Sequence, residues 1–383
     1  MYTTKKIKVS PTPELDMLAS ESGRVYSKVV SLIRKVKRKK GFWLSEKAVK
    51  KYMKLRGYQL HSQTIQAIVE SYFDSLKSYF RVVKSNPDAK PPKRTRKFFK
   101  VRWKSSAISL KDGVLRLSNG KGNPPITLHS TVEPVYVELY FQQGCYYFSL
   151  VYKVHTPPKR ETGKVVAIDM GEIHPIVSHD GQHTIIYNGR ALRAIKQYLN
   201  KVKTIFQSKM DKCNKYSNRW YRLKRVKQKI LAKLNAQIKD AEHKITSRFI
   251  SDCLKAKADT IVIGKLKGIR QRAKFSKKSN QKVHQWAFAR LQFMICYKAE
   301  LAGLKVKFVS EAYTSQTCPR CGNRKKPANR NYHCNHCGFE YHRDGVGAIN
   351  LWNKVLGFML SPVVGAMASP IGVRFNPHLS KLG

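Results

Sequence analysis

Two pairs of cysteines carry the most specific chemistry in this 383-residue chain. Cys318-Pro-Arg-Cys321 and Cys334-Asn-His-Cys337 are C-x2-C pairs with twelve residues between them, and Gly322 and Gly338 follow the two pairs. Each pair offers two thiolates from one tight turn. Two such turns facing each other complete a tetrahedral site with no place for water, which is what structural zinc requires. The remaining cysteines, Cys145, Cys213, Cys253 and Cys296, are scattered. That distribution fits a metal site in a reducing compartment better than a disulfide framework.

Carboxylates are the second set. Asp169 closes the apolar run VVAID and is followed by Met170-Gly171, so its side chain is expected at a strand end where the backbone turns away. Asp344, in His342-Arg343-Asp344-Gly345, is expected to open a helix. Two-metal cleavage of a phosphodiester needs several carboxylates converging from separated elements, because Mg²⁺ takes oxygen ligands and bridges the scissile phosphate. Either aspartate alone is also what an ordinary strand end or helix cap uses.

The charge balance names the class of partner. With 75 Lys and Arg against 23 Asp and Glu, the formal charge is +52. Such a surface repels itself unless a polyanion lies along it, and nucleic acid is the natural one. A wholly disordered chain is excluded by the 42% of hydrophobic residues, enough for an ordinary core. Met1 to Ser10 contains no apolar leader segment and no long uncharged apolar run occurs, so a soluble, cytoplasmic protein without membrane contact is expected.

The elements that must position these residues follow from periodicity. Lys5 to Val9 reads as a strand, and a basic helical stretch runs from about Glu14 to Val83 after Pro11 and Pro13. Its stripe Ile65, Ile68, Val69, Tyr72, Phe73, Leu76 and Phe80 is expected to be core. A Pro- and Lys-rich linker (Ser85 to Thr95) precedes strands at Phe98–Trp103, Gly113–Leu117, Val135–Phe141 and Tyr146–Val154, together suggesting a small β-barrel completed by the N-terminal strand. In the segment from Arg94 to Lys104, the basic Arg94, Arg96, Lys97, Lys100 and Arg102 interleave with Phe98, Phe99 and Trp103. That pattern suits phosphate contact with base stacking, or equally a half-buried strand with a basic face. Thr156 to Gly163 marks the main boundary.

Beyond it come strands at Val165–Ile168, Pro175–Ser178 and His183–Tyr187, a long basic helical region (about 190–257), strand Thr260–Ile263, a helix from about His284 to Leu301, strand Val306–Val309, the cysteine module and a helix from about Gly345 to Leu356. This α/β order fits an RNase H-like fold with helices on both faces of a mixed sheet. Residues 361–383 read as a loose tail. Lys265, Lys267, Arg270, Arg272, Lys274, Lys277, Lys278 and Lys282 form an acid-free basic loop, which suits a solvated charge run or, beside a nuclease centre, at least equally a phosphate track. Asp240, His243 and Lys244 lie within one helical turn, a spacing that allows a His–carboxylate pair but reads first as a helix surface pair or packed helix.

Together VVAIDMG, IVIGKL, SEAYTSQTCPRCG, YHCNHCG and HRDGVGAINLW resemble the OrfB/TnpB proteins of bacterial insertion sequences, relatives of the type V CRISPR effector nucleases. The resemblance covers about Gly163 to Leu356 and, more loosely, the N-terminal part. It implies a RuvC-type, RNase H-like nuclease domain (164–311 and 341–358) holding a zinc ribbon (312–340). It also implies a wedge-like barrel (1–13 and 96–156) with an inserted helical recognition lobe (14–95). The implied activity is RNA-guided cleavage of double-stranded DNA beside a short motif, with an element-encoded guide RNA, one or two protein copies per RNA, structural zinc and two Mg²⁺ ions. Asp169 matches the first RuvC carboxylate and Asp344 the last.

The middle position departs from the pattern: many relatives carry a Glu where this chain has Gly264. Glu311 is the candidate replacement, because it follows the strand expected to lie beside the one ending at Gly264, about 4.8 Å away. If it does not serve, the readings left are a catalytically dead RNA-guided repressor, a guide-free structure-specific nuclease or a transposition accessory protein.

Overall fold

In the first strand half-buried Ile7 and Val9 alternate with exposed Lys6 and Lys8, so one face of this edge strand turns inward. β1 (Tyr2–Val9) pairs antiparallel with the last strand of its unit, in the register Ile7 to Phe148. The computed structural model describes residues 1–95, 97–120, 122–142, 144–265, 276–358 and 369–374, without the side chains of Lys278 and Arg374. The chain divides into two units, Met1–His155 and Thr156–Gly383.

In the first unit, Thr12 caps α1 (Pro13–Lys40) by accepting a hydrogen bond from the Leu15 N–H, with Pro at the first helical position, where it costs no helical hydrogen bond. α2 (Glu46–Lys54) and α3 (Ser62–Val83) follow. The stripe from Ile65 to Leu76 is buried as expected, whereas Phe80 is 40% exposed. Next come β2 (Val101–Lys104), β3 (Ile108–Lys111), β4 (Val114–Leu117), β5 (Ile126–His129), β6 (Tyr136–Gln142) and β7 (Cys145–Lys153). Where a small β-barrel is expected, hydrogen bonding divides these strands between two sheets. β1-β7-β6-β2 form one sheet and β3-β4-β5 a second, because β3 and β5, absent from the sequence reading, pair locally with β4.

The second unit is built on a six-stranded mixed sheet. Its first strands are β8 (Val165–Asp169), β9 (Ile176–His179) and β10 (Thr184–Asn188), followed by α4 (Arg190–Asp211) and α5 (Asn218–Lys255). Then come β11 (Thr260–Gly264), α6 (Lys277–Gln285), α7 (Phe288–Leu301) and β12 (Lys305–Val309). A small hairpin, β13 (Asn331–His333) and β14 (Glu340–His342), leads into α8 (Arg343–Leu356). The last strand, β15 (Ile371–Arg374), lies beside β10 in parallel, so the segment expected to be a loose tail contributes an edge strand. The sheet order is β12-β11-β8-β9-β10-β15.

Successive residues of β8 and β11 point to opposite faces. Val166, Ile168, Ile261 and Ile263 pack with α4, α5 and α7, whereas Ala167 and Val262 pack with Leu351 and Trp352 of α8. Helices therefore cover both faces of the sheet, and the strands read as near-continuous apolar runs for that reason. No described helix is long and apolar enough to cross a membrane.

Candidate active site and metal centre

The parallel pairing of β8, β11 and β12 brings three strand ends together. Ile263 lies opposite Ile168, and Gly264 opposite Val309. Asp169 thus ends one strand, Gly264 the next, and Ser310-Glu311 leave the third. Asp169 and Glu311 originate two strand spacings apart, yet both line one cavity of about 270 Å³ together with Asp344.

What lets them converge is the absence of a side chain between them. A Cβ placed on Gly264 would lie 2.6 Å from Glu311 Oε2, and the three atoms it would meet first all belong to Glu311. The Glu311 carboxyl therefore leans across the end of β11 into the space that a residue-264 side chain would fill. The turn after β12 holds it there: the Thr314 hydroxyl donates to Glu311 O at 2.9 Å, and Asn350 of α8 donates to Thr314 O and Thr317 O, both at 2.7 Å.

The third carboxylate enters from the opposite layer. Asp344 sits in the first turn of α8, where the helix dipole favours an anion, while the cap itself is His342. One turn on, a Cβ at Gly347 would lie 2.6 Å from Asp169 Oδ2, so a bare backbone is what lets the Asp169 carboxyl rest against α8.

The electrostatics show crowding of like charge. Burial first, and then the charges of Asp344 and Glu311, push Asp169 up to about 7. Burial also raises Glu311. For Asp344 burial works in the same direction, but a 2.8 Å hydrogen bond with His174 Nδ1 and a 2.8 Å ion pair with Arg330 outweigh it and hold its carboxyl below the usual range. Three carboxylates so arranged suit a divalent cation, which would relieve the repulsion that burial magnifies.

His174 and Arg330 are site residues that sequence reasoning missed. Arg330 belongs to an irregular stretch between the cysteine pairs and carries no periodic signal. Its position comes from hairpin register: Asn331 pairs with His342, and Arg343 N donates to Arg330 O at 2.8 Å, setting the guanidinium beside Asp344.

The four thiols meet as their spacing requires. Cys318 Sγ lies 3.6 Å from Cys337 Sγ and Cys321 Sγ 3.5 Å from Cys334 Sγ, with all four within 4.8 Å of one another. A tetrahedron of thiolates about 2.3 Å from one ion has edges of about 3.8 Å, so the spacing fits zinc. In each turn a glycine N–H closes back on the first cysteine carbonyl, Gly322 to Cys318 and Gly338 to Cys334, both at 2.9 Å. Burial opposes ionisation of Cys334, but the backbone N–H groups of Cys337 and His336 outweigh it and bring this thiol down to about 6.

The aromatic-basic segment is corrected in part. Trp103 is 1% exposed, its ring packs near Phe148, and its N–H donates to Ser118 O at 2.8 Å, so it is core and cannot stack on a base. Phe99 stacks on Tyr26 at 4.1 Å, and Phe98 packs against Phe141 at 5.1 Å. Lys100 and Arg102 both pair with Glu138, at 2.9 and 2.6 Å. Arg94 and Lys97 are exposed; Arg96 lies outside the described residues. Of the basic loop, Lys265 is exposed at the end of β11, while Lys267, Arg270, Arg272 and Lys274 lie outside the described residues. Asp240 and Lys244 form the surface pair expected of them, at 2.8 Å.

Fold and site together define an α/β protein that gathers carboxylates at the strand ends of a mixed sheet and carries a four-cysteine module beside them. The OrfB IS605 family model, described as a probable transposase, matches residues 149–270, and the Cas12f1-like TNB domain model matches residues 288–351. A TnpB-like protein of Methanocaldococcus jannaschii is 33% identical over 189 residues, 48% of this chain and 66% of that protein. The CRISPR-associated endodeoxyribonuclease Cas12f2 of a Micrarchaeota archaeon is 26% identical over 224 residues, 55% of this chain and 40% of that one. The matched part thus spans less than two thirds of either relative. Among solved structures, the mini-RNA-guided endonuclease CRISPR-Cas phi3 aligns with a TM-score of 0.47 at 10% identity, covering 97% of this chain and 94% of that one. These matches make the chain similar to the OrfB/TnpB proteins and to the type V CRISPR effectors related to them.

Proposed function

We propose that the protein is an RNA-guided, Mg²⁺-dependent DNA endonuclease whose catalytic carboxylates are Asp169, Glu311 and Asp344. The observation that carries this reading is the Glu311 carboxyl filling the space over Gly264 and lining the same cavity as Asp169 and Asp344. A centre that had merely lost its middle glutamate would have no reason to aim another carboxylate into the gap. In this reading residues 164–311 and 341–358 form an RuvC-type, RNase H-like nuclease domain with the zinc ribbon 312–340 inserted. Residues 1–13 and 96–156 serve as a wedge and 14–95 as a recognition lobe.

Asp169, Glu311 and Asp344 would hold two Mg²⁺ ions, which when bound supply an activated water and a counter-charge for the leaving 3′-oxygen. His174 and Arg330 orient Asp344, and Asn350 ties down the turn carrying Glu311. The excess positive charge binds phosphates without reading sequence, which is left to pairing between guide and target.

The reading is tested by sequencing RNA that copurifies with the protein and assaying a DNA target matched to its variable end. A discrete scaffold with a variable segment and cutting in Mg²⁺ but not in EDTA are expected. Binding of the matched target without cutting under any divalent ion would establish the repressor instead, and the absence of a discrete RNA would favour a guide-free protein.

Cys318, Cys321, Cys334 and Cys337 would hold one zinc ion. Replacing Cys334 with Ser is expected to lower bound zinc from one per chain towards none and to loosen residues 312–340, because folding of such a module is coupled to its metal. Elemental analysis and limited proteolysis read the two effects. Active wild-type protein without zinc would refute the assignment.

A further inference from the structure

Beside the carboxylate cavity, a second one of about 300 Å³ opens between α4 and α6. Glu172, three residues after Asp169, lines both. The second cavity carries more positive charge than its carboxylates neutralise. Arg193 faces Glu172 at 3.4 Å, but its Nε is buried without a hydrogen bond. Lys196 reaches Glu242 at 3.6 Å, yet that fully buried carboxylate is already held by Arg290 at 2.6 Å. Burial lowers Lys196, and the nearby charge of Arg290 adds to this, so that the pull of Glu242 and Glu172 in the other direction is outweighed.

Lys282 adds a third cation from α6. Every Asp and Glu of the chain lies among the described residues, and none of them forms an ion pair with Lys282. The lining therefore carries an excess of positive charge that suits an anion. The rest of the lining is not what a bare phosphate needs. Asn200 and Gln285 form a reciprocal pair of carboxamides, each donating to the other at 2.9 Å, which leaves one donor and one acceptor position on the outer edge of each. The half-buried indole of Trp286 completes the wall.

We propose that this cavity binds one unpaired nucleotide of the DNA strand that enters the neighbouring carboxylate site. Arg193, Lys196 and Lys282 hold its phosphate, Trp286 packs on its base, and the outer edges of Asn200 and Gln285 meet the base edge. Cations with an aromatic platform are the usual means of holding single strands, and paired amides add hydrogen-bond selectivity. The proposal rests on the nuclease reading only for the identity of the strand. Drawing one nucleotide aside here would fix the register of the next phosphate at the carboxylates.

The test uses the full chain in EDTA with single-stranded DNA carrying 5-iodouracil, irradiated and mapped by mass spectrometry, since that base crosslinks to aromatic side chains against which it packs. A crosslink on Trp286 is expected. Its yield should fall about tenfold in Asn200→Ala/Gln285→Ala and in Arg193→Ala/Lys282→Ala, both of which keep the indole. Circular dichroism checks that these variants fold. Crosslinks confined to other aromatics, or unchanged yields in both folded variants, would overturn the proposal. Because no cleavage is required, a protein that crosslinks at Trp286 but never cuts DNA keeps this pocket while losing the nuclease reading, and the reverse result separates them equally.

Discussion

Replacing Glu311 with Gln is expected to lower Mg²⁺-dependent cleavage by at least two to three orders of magnitude while leaving DNA binding unchanged, a loss on the scale of removing one essential electrostatic group from an active site. Gln keeps the shape that fits over Gly264 and loses only the charge, so the comparison isolates what the carboxylate does. Cleavage and binding are measured on the same guided complex at saturating Mg²⁺. Full activity in the variant would remove Glu311 from the site. The wild type should also show a specific pH dependence. Asp169 is raised to about 7 in the protein, so the folded chain keeps that proton well above the ordinary carboxylate range. The charged form needed to hold a cation is lost as pH falls below about 7 and gained as it rises. Activity at limiting Mg²⁺ should therefore climb through neutrality and level off above it, and higher Mg²⁺ should move the rise to lower pH, because the ion competes with the proton.

The second large effect concerns the space shared by residues 264 and 311. Gly264 is not among the glycines with positive φ, so its backbone accepts a side chain, and the first atoms that side chain would meet belong to Glu311. Gly264→Glu alone should crowd two carboxyls into one volume and lose cleavage about as completely as Glu311→Gln. Combining it with Glu311→Gly returns the carboxylate to the end of β11, the position many family members resemble. Because misplacement by about an ångström costs roughly a hundredfold, the double variant should recover to within about a hundredfold of the wild type and exceed both single variants. Equal inactivity of all three would mean that residues 264 and 311 do not share one role.

How much of this was legible in the chain depended on how local each feature is. The cysteine module could be read because each C-x2-C turn sets two thiols by local geometry, and the two turns needed only to face each other. Asp169 was visible as the polar end of a buried apolar strand. Asp344 was visible as an acid in the first turn of a helix. Glu311 could be reached because a departure at Gly264 posed a question that the neighbouring strand answered. The segment from Arg94 to Lys104 shows the opposite case. A strand's side chains alternate between faces, so its spacing alone left base stacking and burial equally open. Pairing of β2 with β6 decided it by turning Val101 and Trp103 inward and Arg102 towards Glu138.

Residues brought together over long distances left no such trace. Arg330 and His174 meet Asp344 across 14 and 170 positions, and Asn200 meets Gln285 across 85. The strand β15 falls in a segment without periodicity and exists because β10 offered an unpaired edge. The amino-acid sequence by itself determined which atoms can bind metal, how much polyanion the surface demands and where five of the six strands of the larger sheet lie. Only the tertiary structure decided which carboxylate reaches across the glycine and which aromatic rings are spent on the core. It also decided where unbalanced cations gather beside the site, because register and helix packing are set by the whole buried surface and by no single segment.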